Sequence, residues 1–379
     1  MREAYIVSAV RTPTGRRRGM FSDVLPLTLS TIAVRAAVDR AGVAPGDVDD
    51  VILGCVTPIG EQGANIARLT ALNARFPVSV PGVTINRMCG SSQQAVHFAA
   101  QAIMAGDMEI VVAGGVEHMT RVPMASDYPQ TWPADFPYDL VPQGISAELV
   151  AEKWNLSRMM LDELGYASHM KAARATRDGL FADEIMPVEV PTKEGGARVA
   201  IIDEGIRFDT SLEKMLALRP AFKEDGVVTA GNSSQISDGA AAVVIMSGPA
   251  VARYNLKPLA RIVARAVVGD DPIMMLTGVI PATREVLKRA GLTVDDIDIF
   301  EVNEAFASVV LAWMAEIQPD PAKVNPRGGA IALGHPLGAS GARIMTTLVH
   351  ELRQTGGRYG LQVMCIGHGM ATATIIEAL

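Results

Sequence analysis

The chain has 379 residues, a formal net charge of −7 at neutral pH, and 49% apolar against 20% charged residues. That length allows two or three domains around a substantial core, and that balance argues against large-scale disorder and against a general nucleic-acid binder. Its cysteines, Cys55, Cys89 and Cys365, are far apart and lack CxxC spacing, so neither a disulfide framework nor a zinc site is indicated, and a reducing, cytoplasmic setting is expected. No apolar stretch approaches membrane-spanning length, and the first residues enter a strand-like run without the apolar core of a signal peptide.

Residues 1–117 alternate strand and helix signals. Tyr5 to Val10 reads as a strand, Leu29 to Ala41 as a helix closed by Gly42, and Val51 to Val56 as a strand. A helix over Gly63 to Ala74 and a strand over Gly82 to Ile85 follow. Beyond the strand lies Asn86-Arg87-Met88-Cys89-Gly90-Ser91-Ser92, then a helical run from Ala95 to Met104, then the β-branched strand Ile110 to Ala113. Near-continuous apolar strands alternating with helices imply an α/β fold. From His118 the character changes: prolines at 123, 129, 133, 137 and 142 break up an aromatic-containing stretch. A helix is expected from near Ser146, resuming after Asn155-Leu156-Ser157 toward Gly179, with a turn at Gly195-Gly196. Gly239 to Met246 then reads as a strand that returns to the first core. We therefore expect a half formed by 1–117 and 239–258, a loop-rich insertion over 118–238, and a second half over 259–379.

An internal repeat supports the duplication. Arg35-Ala36-Ala37-Val38-Asp39-Arg40-Ala41-Gly42, followed by Asp47-Val48-Asp49-Asp50, matches Arg284-Glu285-Val286-Leu287-Lys288-Arg289-Ala290-Gly291, followed by Asp296-Ile297-Asp298. The same register sets Cys89-Gly90-Ser91-Ser92 opposite Gly338-Ala339-Ser340-Gly341, each opening a helix.

A cysteine between a strand end and a helix start lies in the positive end of the helix dipole, which favours the nucleophilic thiolate. The alternative is a small buried hydrophobe. In the second half, three polar segments fall where core strands end: Glu301 to Phe306 with Asn303, Gly328 to Gly341 with His335, and Val363 to Met370 with Cys365 and Gly367. Taken singly, Asn303 could be a helix cap, His335 a satisfied loop histidine and Cys365 a core residue. Cys55, His97, His169 and His350 read as structural.

These segments, together with Arg11-Thr12-Pro13, Leu218-Arg219-Pro220-Ala221-Phe222, Thr229-Ala230-Gly231-Asn232-Ser233-Ser234 and Ser237-Asp238-Gly239, resemble the thiolases over nearly the whole chain. The resemblance implies a thiolase fold, with duplicated βαβαβαββ halves around an inserted loop domain. It implies acyl-CoA substrates, coenzyme A as co-substrate, no permanently bound cofactor or metal, and a homodimer or homotetramer. Cys89 resembles the acylated nucleophile, Cys365 the acid/base cysteine, and His335 the histidine that activates the nucleophile. Asn303 resembles the residue holding the water of one oxyanion hole, with the N–H groups of Cys89 and Gly367 forming the other. Arg207, Ala230 and Ser234 match positions that contact coenzyme A. The resemblance leads to thiolytic cleavage of 3-ketoacyl-CoA. An acetoacetyl-CoA-specific biosynthetic enzyme, a ketoacyl synthase and a non-catalytic acyl-CoA-binding protein remain as alternatives. Three segments depart from the family pattern: His368 replaces a usual glycine, Pro142-Gln143-Gly144 replaces a His-Met-Gly segment, and Leu276 and Val279 interrupt a more glycine- and proline-rich run.

Overall fold

A computed structural model describes residues 2–192 and 195–379. The first half runs β1 (Ala4–Arg11), the short β2 (Gly15–Arg16), α1 (Pro26–Ala41), β3 (Asp50–Gly54), α2 (Ile66–Asn73), β4 (Gly82–Ile85), α3 (Ser91–Ala105) and β5 (Ile110–His118). A long segment follows with α4 (Gln143–Lys153), α5 (Arg158–Arg177), the hairpin β6 (Val188–Pro191) and β7 (Ala197–Ala200), and α6 (Leu212–Leu216). The chain returns through β8 (Ser237–Ser247) and α7 (Gly248–Arg253). The second half comprises β9 (Ala260–Gly269), α8 (Val279–Ala290), β10 (Ile299–Val302), α9 (Ala307–Ile317), α10 (Ala330–Leu333), α11 (Leu337–Thr355), β11 (Tyr359–Ile366) and β12 (Met370–Ala378).

The internal repeat has a local physical cause. Helix α1 ends at Gly42 with φ 65°, and its N–H donates to the carbonyls of Val38 and Asp39. Helix α8 ends at Gly291 with φ 67°, donating to Leu287 and Lys288. Both Arg-Ala-Gly sequences thus close a helix with a left-handed glycine cap, which a side chain would strain. An acidic turn then leads into β3 and β10.

Strand pairing repeats as well. In the first half β1 pairs antiparallel with β8, β8 antiparallel with β5, β5 parallel with β3, and β3 parallel with β4. In the second, β9 pairs antiparallel with β12, β12 antiparallel with β11, and β11 parallel with β10. There the fifth strand is reduced to one parallel bridge from Phe300 to Val324. The half-sheets meet where Tyr5 and Ile6 of β1 pair with Arg261 and Ala260 of β9.

Alternate strand residues feed different layers. One face of β1, β3, β5 and β8 packs on α1 and α2, through Val10, Leu53, Val112 and Val244. The opposite face, through Ile6, Ile52, Val111 and Val243, meets α3 and α11. In the second half, Phe300, Leu361, Val363 and Ala373 pack on α8 and α9. The fold is therefore α/β, with two βαβαβαββ halves that share a central pair of helices and a loop-rich insertion between β5 and β8. The proline-rich stretch before α4 forms no helix or strand. Helix α4 begins at Gln143 after Pro142, with no side-chain cap, and α5 begins at Arg158 after Ser157, whose side chain caps the Met160 N–H. Among the described residues no helix is long and apolar enough to cross a membrane.

Candidate active site

The turn between β4 and α3 fixes the first cysteine. Asn86 accepts from the Met88 N–H at 2.8 Å while its Nδ2 donates to the Val56 carbonyl at 2.9 Å. Ser91 Oγ accepts from the Arg87 N–H at 2.9 Å and donates to the Met88 carbonyl at 2.6 Å. Met88 is held at φ 44°, a left-handed strain carried by this network. Cys89 is buried at 4% exposure. The backbone N–H groups of Cys89 itself and of Gly367 lie near enough to its sulfur to favour the thiolate.

The expectation of a stabilised thiolate does not hold. Burial first, and then the neighbouring Cys365 sulfur, push the Cys89 thiol up to about 12, against the two N–H donors that lower it. Desolvation outweighs the helix start here, because the helix N-terminus offers partial charges while burial removes the full hydration of a thiolate.

Cys365 closes β11. Burial raises its thiol to about 11, opposed by the Asn303 side chain, its own N–H and that of Ala305. Asn303 follows β10 directly, held by its N–H to the Val363 carbonyl at 3.0 Å. Asn303 Nδ2 lies 3.9 Å from Cys365 Sγ and 3.4 Å from His335 Nε2, so one amide links the two groups. Asn303 Oδ1 is buried with no hydrogen-bond partner among the described residues, an acceptor that suits a water donor.

His335 is held from its other nitrogen. Nδ1 lies 2.6 Å from Ser340 Oγ, and that hydroxyl donates to the Pro336 carbonyl at 2.8 Å. A hydroxyl with its one proton on the carbonyl accepts from the ring, which places the imidazole proton on Nδ1 and leaves Nε2 able to take a proton. Burial, and then Arg343, lower the His335 pKa to about 3, so the ring is neutral.

The two halves are locked together around these groups. Glu117, at the end of β5, accepts from the N–H groups of Val56 (2.8 Å) and Gly338 (2.8 Å) and from Gln62 Nε2 (2.9 Å). It thereby ties the start of α11, and so the His335 turn, to the first half. The His335 N–H reaches the Gln235 carbonyl and Ser237 Oγ, each at 3.2 Å. Ser340 and Glu117 were not singled out from sequence. Ser340 lies five residues after His335 in one turn, a signal within reach. Glu117 joins the site only through tertiary packing.

Gly367 and Cys365 both lie near enough to Cys89 to shift its thiol, and Cys365, Asn303 and His335 form a connected set. The positions matched to coenzyme A contacts lie apart from these. Arg207 is exposed, with its N–H donating to His169 Nδ1 at 3.1 Å, and Ala230 is exposed on the segment before β8. Ser234 is nearer, its N–H bonded to the Ala305 carbonyl at 2.9 Å. Of the expected structural residues, Cys55 is fully buried beside Glu117, and His97 is buried against Thr374 Oγ1 at 2.8 Å.

A buried cysteine near two backbone N–H groups, with a second cysteine and a neutral histidine linked by one asparagine, is an arrangement chemically able to carry out acyl transfer through sulfur. Models of the thiolase N-terminal and C-terminal domains match residues 4–249 and 256–378. The chain is 50% identical to the steroid 3-ketoacyl-CoA thiolase FadA6 of Mycobacterium tuberculosis, over all of this chain and 95% of that one. It is 44% identical to a beta-ketoadipyl-CoA thiolase of Acinetobacter baylyi over the full length of both. The crystal structure of the Bacillus anthracis acetyl-CoA acetyltransferase superposes with a TM-score of 0.94 at 39% identity, covering 100% of this chain and 99% of that one. The chain belongs to the thiolase family.

Proposed function

We propose that Cys89 carries the acyl group in a coenzyme A-dependent cleavage of 3-ketoacyl-CoA to acyl-CoA and acetyl-CoA, the reaction of an acetyl-CoA C-acyltransferase. The observation that carries this reading is the connected set beside Cys89, in which Asn303 Nδ2 lies 3.9 Å from Cys365 Sγ and 3.4 Å from His335 Nε2. The N–H groups of Cys89 and Gly367, near enough to the Cys89 sulfur to favour its thiolate, can serve the oxygen of a tetrahedral adduct formed there.

In the first half-reaction the Cys89 proton passes to His335 Nε2, and Sγ attacks the 3-keto carbon. The oxyanion accepts from the two N–H groups. Cleavage between the α and β carbons leaves the acyl group on Cys89 and expels the acetyl-CoA enolate. That enolate is held by the His335 imidazolium and a water on Asn303 Oδ1, and takes its proton from Cys365. In the second half-reaction Cys365, now a thiolate, takes the thiol proton of coenzyme A, whose sulfur attacks the acyl-enzyme; collapse of the adduct expels the Cys89 sulfur, which recovers its proton from His335. Reversal of these steps is a Claisen condensation.

Arg207, Ala230 and Ser234 are assigned to the nucleotide and pantetheine of coenzyme A. Their spread from the surface to the Ala305 contact suits a long ligand entering toward Cys365. The same reading includes a homodimer or homotetramer: among the described residues β4 ends the sheet with one unpaired edge, and Val83 on it is 41% exposed. Three unpaired buried cysteines suit a reducing cytoplasm.

The test follows loss of 3-ketoacyl-CoA with and without coenzyme A, alongside mass analysis of the protein after incubation with substrate alone. Turnover should require coenzyme A, an acyl adduct should map to Cys89, and Cys89→Ala should remove both. Full turnover by Cys89→Ala would sink the assignment.

A further inference from the structure

The acyl side of the Cys89 sulfur is unexpectedly polar. His368 follows Gly367, whose N–H is near enough to that sulfur to favour its thiolate, and it holds φ 63°, a left-handed conformation in which the neighbouring Gly369 (φ 74°) is at ease and a histidine is strained. Its Nδ1 is buried yet has no hydrogen-bond partner among the described residues. The ring lies 6.0 Å, centroid to centroid, from that of Tyr128, whose hydroxyl is close enough to Cys89 for a thiolate there to raise its pKa. Tyr128 is delivered by a tight turn, with its N–H on the Ala125 carbonyl at 3.1 Å. A third polar group stands beside the same peptide: Gln143 Nε2 is 3.4 Å from where a Cβ on Gly367 would project, with Met88 Cγ at 3.6 Å.

A strained residue with an orphaned polar atom at the mouth of a reaction site is more costly than the glycine that the backbone would accept. A bound ligand group that completes its hydrogen bonding offsets that cost. Asp127 narrows the choice of group: its Oδ1 is also buried without a partner among the described residues, and its charge reaches Tyr128. A carboxylate on the acyl chain would meet that charge, whereas a hydroxyl or carbonyl would not.

We propose that His368, with Gln143 beside it, is a specificity-determining residue that hydrogen-bonds an uncharged oxygen, hydroxyl or carbonyl, borne by the acyl chain beyond the reacting 3-keto group. The substrate class is thus oxygenated 3-ketoacyl-CoA thioesters rather than plain alkyl ones. This rests on the acyl-transfer reading of Cys89, and the experiment separates the two.

The probes are three 3-ketoacyl-CoA thioesters of equal chain length: one alkyl, one carrying a hydroxyl, and one ending in a carboxylate. The protein is compared with His368→Gly, which relieves the backbone strain and so folds, with His368→Asn, which tolerates the same φ and keeps a donor, and with Gln143→Met. Turnover of the alkyl probe by the unmodified protein verifies the chemistry independently of the proposal. The hydroxyl probe should exceed the alkyl one in kcat/KM by about tenfold, because a site with an orphaned polar group discriminates against the analogue that cannot satisfy it. His368→Gly should bring that ratio to near one, mainly through KM, while His368→Asn retains most of it and Gln143→Met lowers it. Equal kcat/KM for hydroxyl and alkyl probes, a ratio unchanged in His368→Gly, or a preference for the carboxylate probe overturns the proposal.

Discussion

The reactive groups rest in their neutral forms. Cys89 and Cys365 are pushed up to about 12 and about 11, and His335 down to about 3, each by burial before any other cause. A thiol raised by burial stays protonated until the pH exceeds its own value, and a histidine lowered by burial is neutral above its own. None of the three changes charge across the physiological range. The kcat/KM of the free enzyme should therefore be flat from about pH 5 to about pH 9 for a substrate that does not itself titrate there. A limb with an apparent pKa near 7 would show that a resting Cys89–His335 ion pair exists. With Cys89 as the proposed nucleophile, its deprotonation then has to accompany attack on the substrate carbonyl, whose oxygen takes the charge. This gives Ser340 a defined task, since only an imidazole with its proton on Nδ1 presents a basic Nε2. Ser340→Ala should lower kcat by roughly tenfold or more with little change in KM, the mark of lost orientation rather than lost binding. Ser340→Thr, which keeps the hydroxyl, should recover part of it. A large rise in KM for Ser340→Ala would show that the residue serves binding or packing instead.

At the scale of elements, the site depends on how closely α3 and α11 approach. Ser92 Oγ in α3 accepts from the Ala342 N–H in α11 at 2.9 Å, and a Cβ on Gly341 would run into the Gln93 backbone nitrogen. A side chain there must part the helices that carry Cys89 and the His335 turn. Gly341→Ala should cost about 1–3 kcal/mol of stability, read as a lower Tm, together with activity out of proportion to the folded fraction. A variant with unchanged Tm and kcat would refute the close approach. The need for small residues at this crossing is legible in sequence, because the same register that aligns the Arg-Ala-Gly caps aligns Cys89 to Ser92 with Gly338 to Gly341. The strands, the duplication and the polar segments are likewise local or periodic signals. What sequence could not supply is tertiary. The sign of the Cys89 shift depends on burial in a cluster with Val56, Met119, Leu337 and Met364, all distant in sequence, and the role of Glu117 depends on a Gly338 that lies on the other half of the chain.

Across the whole molecule, charge is buried where the first half, the insertion and the second half meet. Arg11 in β1 pairs with Glu184 at 2.6 Å and Asp203 at 2.7 Å, both from the insertion. Arg327 pairs with Glu351 of α11, and the guanidinium groups of Arg11 and Arg327 lie 5.1 and 5.9 Å from the Phe181 ring. Most of these charges are matched, so their desolvation is offset by direct hydrogen bonds. Glu301 and Arg343 are less well provided. Glu301 Oε1 and Arg343 Nε and Nη1 are buried without partners among the described residues. Burial pushes Glu301 up to about 8, against the attraction of Arg343. A carboxyl raised in the folded state holds a proton that the unfolded chain releases at lower pH. Its contribution to stability is therefore complete below the ordinary carboxylate range and is lost as pH rises through about 8. Glutamine keeps the shape and has no charge to bury. Glu301→Gln should thus match the unmodified protein near about pH 5 and exceed it in Tm by several degrees near about pH 9. If the variant is instead less stable at the higher pH, the Glu301 carboxylate is paired with Arg343 as an ion, and removing it leaves that arginine buried alone.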